Sequence, residues 1–361
     1  MTCRRCLDAA AEGYNYCPVC GDPLNECPVC KEYSLQGYSY CGKCGRPLKA
    51  EKKSYALEKA VFIAVPIIAA FLIADLICMY LGAADTFGWI PGHSINLYVV
   101  FFEVFKFTVS GTALQAYWIL LVIAVTLCLA ATAYHSRAVL DRRSPDYINK
   151  MSRTPAYYLA LTFGAYLVIS AVLILIMQAA GAEITLPDLP SGRDPEALLL
   201  YTGAAVWEEI AFRLFMLGLP VALIALIRGR KNFPRFLLGG FGFSAPVLIL
   251  MILSSIYFGI AHTDSWGSWK IIPATVAGLM MSYLYVRFGI HVSVTFHFLI
   301  DYMTICHGLM GDALFNFLFI FAIVIGFACL ADLLKRLYEG LGNLKDLPSS
   351  LDYENIFSRR D

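Results

Sequence analysis

Three short stretches place ionisable side chains at helical spacing inside apolar runs, where each such group costs about 2.5 to 3.5 kcal/mol at mid-membrane. The first is TGAAVWEEIAFRLF, in which Glu208 and Glu209 precede Arg213; the second is IYFGIAHTDSW, with Phe258 and His262; the third is VTFHFLID, with His297 and Asp301. Glu209 and Arg213 stand four residues apart with the acid N-terminal, the favoured order for a helical ion pair. Glu208 points about 100° away from Glu209 and is the freer carboxylate. Phe258 and His262 share one helix face, as do His297 and Asp301. Gathered in a bundle interior, Glu208, His262, His297 and Asp301 would make either a metal-ligand set or an acid-base site that activates water. Hydrolysis is the chemistry expected of them, with the Glu209–Arg213 pair fixing helix packing and orienting the site.

A second group of residues has different chemistry. Eight of the twelve cysteines fall in the first 44 residues as four CxxC pairs: Cys3 and Cys6, Cys17 and Cys20, Cys27 and Cys30, Cys41 and Cys44. The segment repeats with period 24, since CRRC-x10-CPVC-GDPL is followed by CPVC-x10-CGKC-GRPL. Two CxxC knuckles supply the four thiolates of a closed tetrahedral zinc site, so the repeat assigns Cys3, Cys6, Cys17 and Cys20 to one structural ion and the other four to a second. Regular CxxC pairs flanked by Gly and Pro suit zinc better than disulfides. Units this small bury no core, so metal binding would supply their folding free energy, about 10 kcal/mol or more per site. The segment resembles a double zinc ribbon, whose members bind proteins or nucleic acids. Few basic residues and no aromatic platform stand here, so a structural role or a cytoplasmic protein partner is expected rather than nucleic acid.

The elements that must carry the first group are membrane spans. Of the 361 residues 59% are apolar, mean hydropathy is +0.64 and net charge is +1, which excludes an ordinary soluble domain and a global basic field. Eight runs reach spanning length: 60–84, 113–133, 156–180, 197–227, 241–261, 271–286, 290–310 and 313–334. The expected fold is therefore an all-α polytopic membrane bundle of about eight transmembrane helices with a small N-terminal double zinc ribbon. Its parts are the ribbon at 1–48, a charged linker at 49–59, the membrane domain at 60–336 and a tail at 337–361. The run Leu97–Thr112, carrying Glu103 and Lys106, reads as an interfacial helix or a partial ninth span. With eight spans, the loop holding Arg137, Arg142, Arg143, Lys150 and Arg153 shares a side with the loop holding Arg228, Arg230, Lys231 and Arg235. The positive-inside rule makes that side, and both termini, cytoplasmic. The start MTCRRC lacks a cleavable signal pattern, so the first run is expected to stay as an anchor. The chain is expected in the plasma membrane of a prokaryote.

At the three motifs the sequence resembles the CAAX protease and bacteriocin-processing family of intramembrane proteases, the CPBP or Abi family. Its motif EExxxR matches Glu208, Glu209 and Arg213, FxxxH matches Phe258 and His262, and HxxxN or HxxxD matches His297 and Asp301. The resemblance implies an endopeptidase acting on a membrane-associated peptide or lipid-modified protein. It gives water activation to Glu208 and His262, and gives His297 and Asp301 to the oxyanion or to a divalent metal at the intramembrane site. Asp301 stands where the prenyl-protease branch usually has Asn; an ionised Asp cannot donate to an oxyanion, which leans toward metal binding or an acceptor role.

Other polar groups have simpler readings. His291 and His307 read as interfacial, Asp75 and Glu103 as water-facing, Cys78, Cys128, Cys306 and Cys329 as small apolar side chains, and Gly203 and Gly278 as points of close helix approach. The competing function is a non-catalytic scaffold or immunity protein that recruits a partner through the zinc ribbons. A proton-relay transporter is weaker, because the membrane part shows no repeated half.

Overall fold

A computed structural model describes residues 30–35, 38, 40–43, 55–100, 104–140, 147–185, 187, 194–227, 229 and 234–342. The chain divides into two compact units, Met1–Tyr55 and Ala56–Asp361. In the first, Cys30–Leu35 is a short helix, Cys41 is buried, and the rings of Tyr33 and Tyr38 lie 5.5 Å apart. The other assigned zinc ligands, Cys3, Cys6, Cys17, Cys20, Cys27 and Cys44, fall outside the described residues.

The second unit is an all-α membrane bundle. Its longer helices are α1 (Ala56–Trp89), α2 (Gly111–His135), α3 (Pro155–Ala179), α4 (Pro195–Glu209), α5 (Leu219–Ile227), α6 (Ala245–Ala261), α7 (Ile271–Phe288), α8 (Ile290–Met310) and α9 (Asp312–Gly342). A π-helical stretch, Ile210–Gly218, joins α4 to α5 in a single span. Among the described residues seven helical segments are long and apolar enough to cross a membrane. Helix α8, with 21 residues, spans about 31 Å at 1.5 Å per residue. It falls outside the seven because His291, His297, Asp301 and His307 lower its hydropathy. It is also central, packing against α1, α2, α4 and α7, so protein rather than lipid surrounds its polar groups.

Local sequence explains the helix starts that matter here. Asp194 caps α4, its side chain accepting from the Glu196 amide, and Pro195 takes the first turn, where no amide is needed. Thr154 and Pro155 do the same for α3. In the π-helical stretch the Phe212 carbonyl accepts from the Ser254 hydroxyl of α6 at 2.6 Å. Gly278 of α7 faces α6 so closely that an added Cβ would lie 3.1 Å from the Ser255 Cα, whereas at Gly203 the nearest atom would be 3.7 Å away and no such need exists.

Two expectations are corrected. The run Leu97–Thr112 is neither an interfacial helix nor a span: β1 (Ser94–Val100) and β2 (Val104–Ser110) form an antiparallel hairpin, with Ser94 opposite Ser110 and Val100 opposite Val104. Alternation decides this. Ile95, Leu97, Val99, Phe105, Phe107 and Val109 fall on one face, while Asn96, Tyr98, Lys106 and Thr108 fall on the other. The helix after it starts at Gly111, whose φ of +55° suits a residue without Cβ. Asp75 is not water-facing; it is fully buried in α1, with Cys306 of α8 beside it. Glu103 lies outside the described residues.

Candidate active site

The carboxylate pair at the end of α4 splits in two directions. Glu209 turns into the bundle, where it is fully buried and its Oε2 lies 3.3 Å from the Arg213 Nε. The Ser293 hydroxyl of α8 donates to the same carboxylate, and the His297 Nδ1 stands 3.0 Å from its other oxygen. Arg213 is itself fully buried, donates from Nη2 to the Gly278 carbonyl at 3.2 Å, and lies with its guanidinium 4.6 Å from the Phe258 ring centroid. The Glu209 carboxylate is met by α8 and the Arg213 Nη2 by α7, while Arg213 Nε and Nη1 have no hydrogen-bond partner among the described residues, so the guanidinium is held mainly by its charge contact with Glu209 and by the Phe258 ring.

Glu208, one residue earlier, faces the other way. Its Oε2 lies 3.7 Å from the His297 Nε2 and 3.9 Å from the His262 Nε2, with no hydrogen-bond partner among the described residues. Both imidazoles are held by their far nitrogens. His262, at the C-terminal end of α6, has Nδ1 2.7 Å from the Phe258 carbonyl, which only accepts, so Nδ1 carries a proton and the Nε2 of the neutral ring presents a lone pair. His297 has a carboxylate at each nitrogen: Glu209 at Nδ1 and, at Nε2, the Asp301 Oδ2 at 3.4 Å. Phe258 packs beneath both rings, with centroid distances of 4.6 Å to His262 and 5.9 Å to His297.

The structure thus brings together Glu208, His262, His297 and Asp301 at one place and Glu209 and Arg213 directly beneath. Among the described residues no group of three or more His, Cys, Asp and Glu side chains is arranged to hold a metal ion. The two histidines that the sequence reads as interfacial stand elsewhere: His291 pairs with His135 of α2 at 3.0 Å, and His307 with Asp312 at 3.1 Å.

Three contributors escaped the sequence reading. Ser293 completes a stripe with His297 and Asp301 at successive four-residue steps, a signal that was legible in the sequence. Lys270, in the turn between α6 and α7, has its ammonium 3.8 Å from the Trp266 ring centroid and interacts electrostatically with Asp301 and Glu208. Trp207 donates from its indole to the Tyr98 carbonyl of β1 at 2.8 Å and packs against Phe107 of β2, which ties the hairpin to the residue before Glu208.

Residues 195–303 match the model of a family described as type II CAAX prenyl endopeptidase, Rce1-like. The stretch runs from the first residue of α4 into α8 and contains all six of the side chains assigned to the site. No curated protein matches the chain, and no solved structure does. The match and the membrane-capable helices support an integral membrane protein of the CAAX intramembrane protease type in general.

Proposed function

We propose that this protein is an intramembrane endopeptidase in which Glu208 is the general base. The observation that carries the reading is the Glu208 Oε2 facing two imidazole nitrogens across gaps of 3.7 and 3.9 Å. These gaps are too long for direct hydrogen bonds, and one water touching all three atoms would close them. Glu208 takes a proton from that water while the His262 lone pair accepts its second hydrogen. The hydroxide adds to the scissile carbonyl carbon and the carbonyl oxygen becomes an oxyanion. Glu208 then returns its proton to the amide nitrogen as the C–N bond breaks, leaving an acid and an amine.

The departure at Asp301 has a physical reading in this scheme. Both nitrogens of His297 face carboxylates, an arrangement that an imidazolium satisfies with two N–H donors. Asp301 then acts as acceptor for the His297 Nε2–H before the reaction, and the same N–H turns from Asp301 to the oxyanion as that charge forms. Glu209 and Arg213 position His297 and do not touch substrate. The scheme uses no metal in the membrane. The substrate class is a membrane-associated peptide or lipid-modified protein.

The zinc ligands proposed for residues 1–48 are structural, holding a platform for a cytoplasmic protein partner. The test of the whole reading is cleavage of a membrane-embedded peptide reporter by purified protein. Glu208→Gln should abolish cleavage with the melting transition unchanged; no cleavage by the wild type, with partner recruitment kept in Glu208→Gln and lost on deleting residues 1–48, would establish the scaffold reading.

A further inference from the structure

Exposure of the site side chains changes in one direction along three helices. On α8 it rises from Ser293 (0%) through His297 (6%) to Asp301 (21%). On α6 it rises from Phe258 (2%) to His262 (19%) at the helix end. On α4, which runs the opposite way, it falls from Glu208 (29%) to Glu209 and Arg213 (0% each). Helices α6 and α8 run away from the side on which α1 begins, and α4 runs toward it, so all three gradients point to the same end of the bundle. The site is closed on the side of the α1 start by Glu209, Arg213, Ser293 and Phe258. Toward the other end it meets the α6–α7 turn, with Trp266, Trp269 and Lys270, and the β1–β2 hairpin fixed through Trp207.

The charges of the connections say which compartment that end faces. The connections on the α1-start side carry Lys52, Lys53, Arg137, Arg142, Arg143, Lys150, Arg153, Arg228, Arg230, Lys231 and Arg235, and the last turn of α7 adds Arg287. Those on the other side carry Lys106, Arg193 and Lys270 against Glu103, Glu183, Asp188, Asp194 and Asp264, and the first turn of α9 adds Asp312. The Lys/Arg excess sets orientation and makes the first side cytoplasmic.

We infer that the active site opens on the extracytoplasmic side, and that its substrate is a membrane-anchored peptide presented from the outer leaflet rather than a cytosolic lipidated C-terminus. The inference rests on the proposed protease site but concerns only its access, so it is tested without turnover. In Asp301→Cys the thiol sits at the site. In His262→Cys, a second reporter for the case in which the first does not fold, it sits at the end of α6. A charged, membrane-impermeant thiol reagent is applied to right-side-out and inverted vesicles, with wild type as the background for the native cysteines. Labelling above background in right-side-out vesicles and its absence in inverted ones is the expected result. Labelling confined to inverted vesicles would overturn the inference and leave the catalytic assignment of Glu208 standing.

Discussion

Glu208 and Glu209 are neighbours in sequence, yet they belong to two regions built on opposite physical terms. The floor, made by Glu209, Arg213, Ser293 and the Gly278 carbonyl, is sealed, and its charges are matched by direct contacts. The mouth, made by Glu208, His262 and Asp301, is partly exposed and leaves a carboxylate oxygen facing imidazoles beyond hydrogen-bond distance. A charge in the floor is committed to structure; one in the mouth is free to exchange a proton. If that division is right, substitutions in the two regions fail in different ways, activity without stability above and stability first below.

The largest effect belongs to the mouth. Glu208→Gln keeps shape and loses the base, so kcat should fall by about 10²- to 10⁴-fold, the range for a positioned general acid-base group. The melting temperature in detergent should stay at the wild-type value, and a large drop would move Glu208 into the floor and break the comparison. Next comes the floor itself. Arg213→Met leaves the Glu209 carboxylate buried without its guanidinium and should destabilise the fold by about 3 to 5 kcal/mol. Adding Glu209→Gln should recover part of that loss, because the two residues are coupled; chemical denaturation of the single and double variants reads the coupling directly. Additive losses would show that the pair does not act as a unit.

How much of this division the sequence carried depends on whether a feature is local. The i and i+4 spacing of Glu209 with Arg213, and of His297 with Asp301, is set within one helix, and so is the turn that separates Glu208 from its neighbour. Those features, and the all-α bundle, were legible for that reason. The hairpin was not, because the run around Val99 and Val100 is apolar on consecutive residues and hides the alternation on either side of it. The burial of Asp75 was equally hidden, since only packing against α8 decides which way that face of α1 looks. The π-helical stretch after Glu209 carries no signature that we can identify in its sequence. Lys270 lies in a short turn that looked like a connection until its two tryptophans and the carboxylates of α4 and α8 were seen around it.

A smaller effect sharpens how the floor supports the mouth. Gly278 of α7 lets α6 approach until the Ser255 Cα and the Phe258 ring stand where a methyl group would go, at 3.1 and 3.3 Å. Its carbonyl also accepts from Arg213. Gly278→Ala should therefore push α6 outward and cost about 1 to 3 kcal/mol of stability, the usual range for overpacking. Because His262 ends α6, the same displacement should lower kcat more than it raises KM. Lost stability with unchanged kcat would mean that mouth geometry does not depend on this contact.

The smallest expected effect comes from a change that touches neither region. All six site side chains lie in the unit that starts at Ala56, and the family match begins only at residue 195. Deleting residues 1–48 should leave kcat toward a membrane-embedded reporter near the wild-type value and remove the metal that the four CxxC pairs are proposed to bind. Metal counting on the full chain should give two zinc ions, unchanged by Glu208→Gln or by His297→Ala. A further metal lost specifically with His297→Ala would place an ion in the mouth and replace the water held by Glu208 with a metal-bound one. The floor would then be read as the support of a metal centre, since Glu209 contacts the ring of His297 from below whichever group its Nε2 serves.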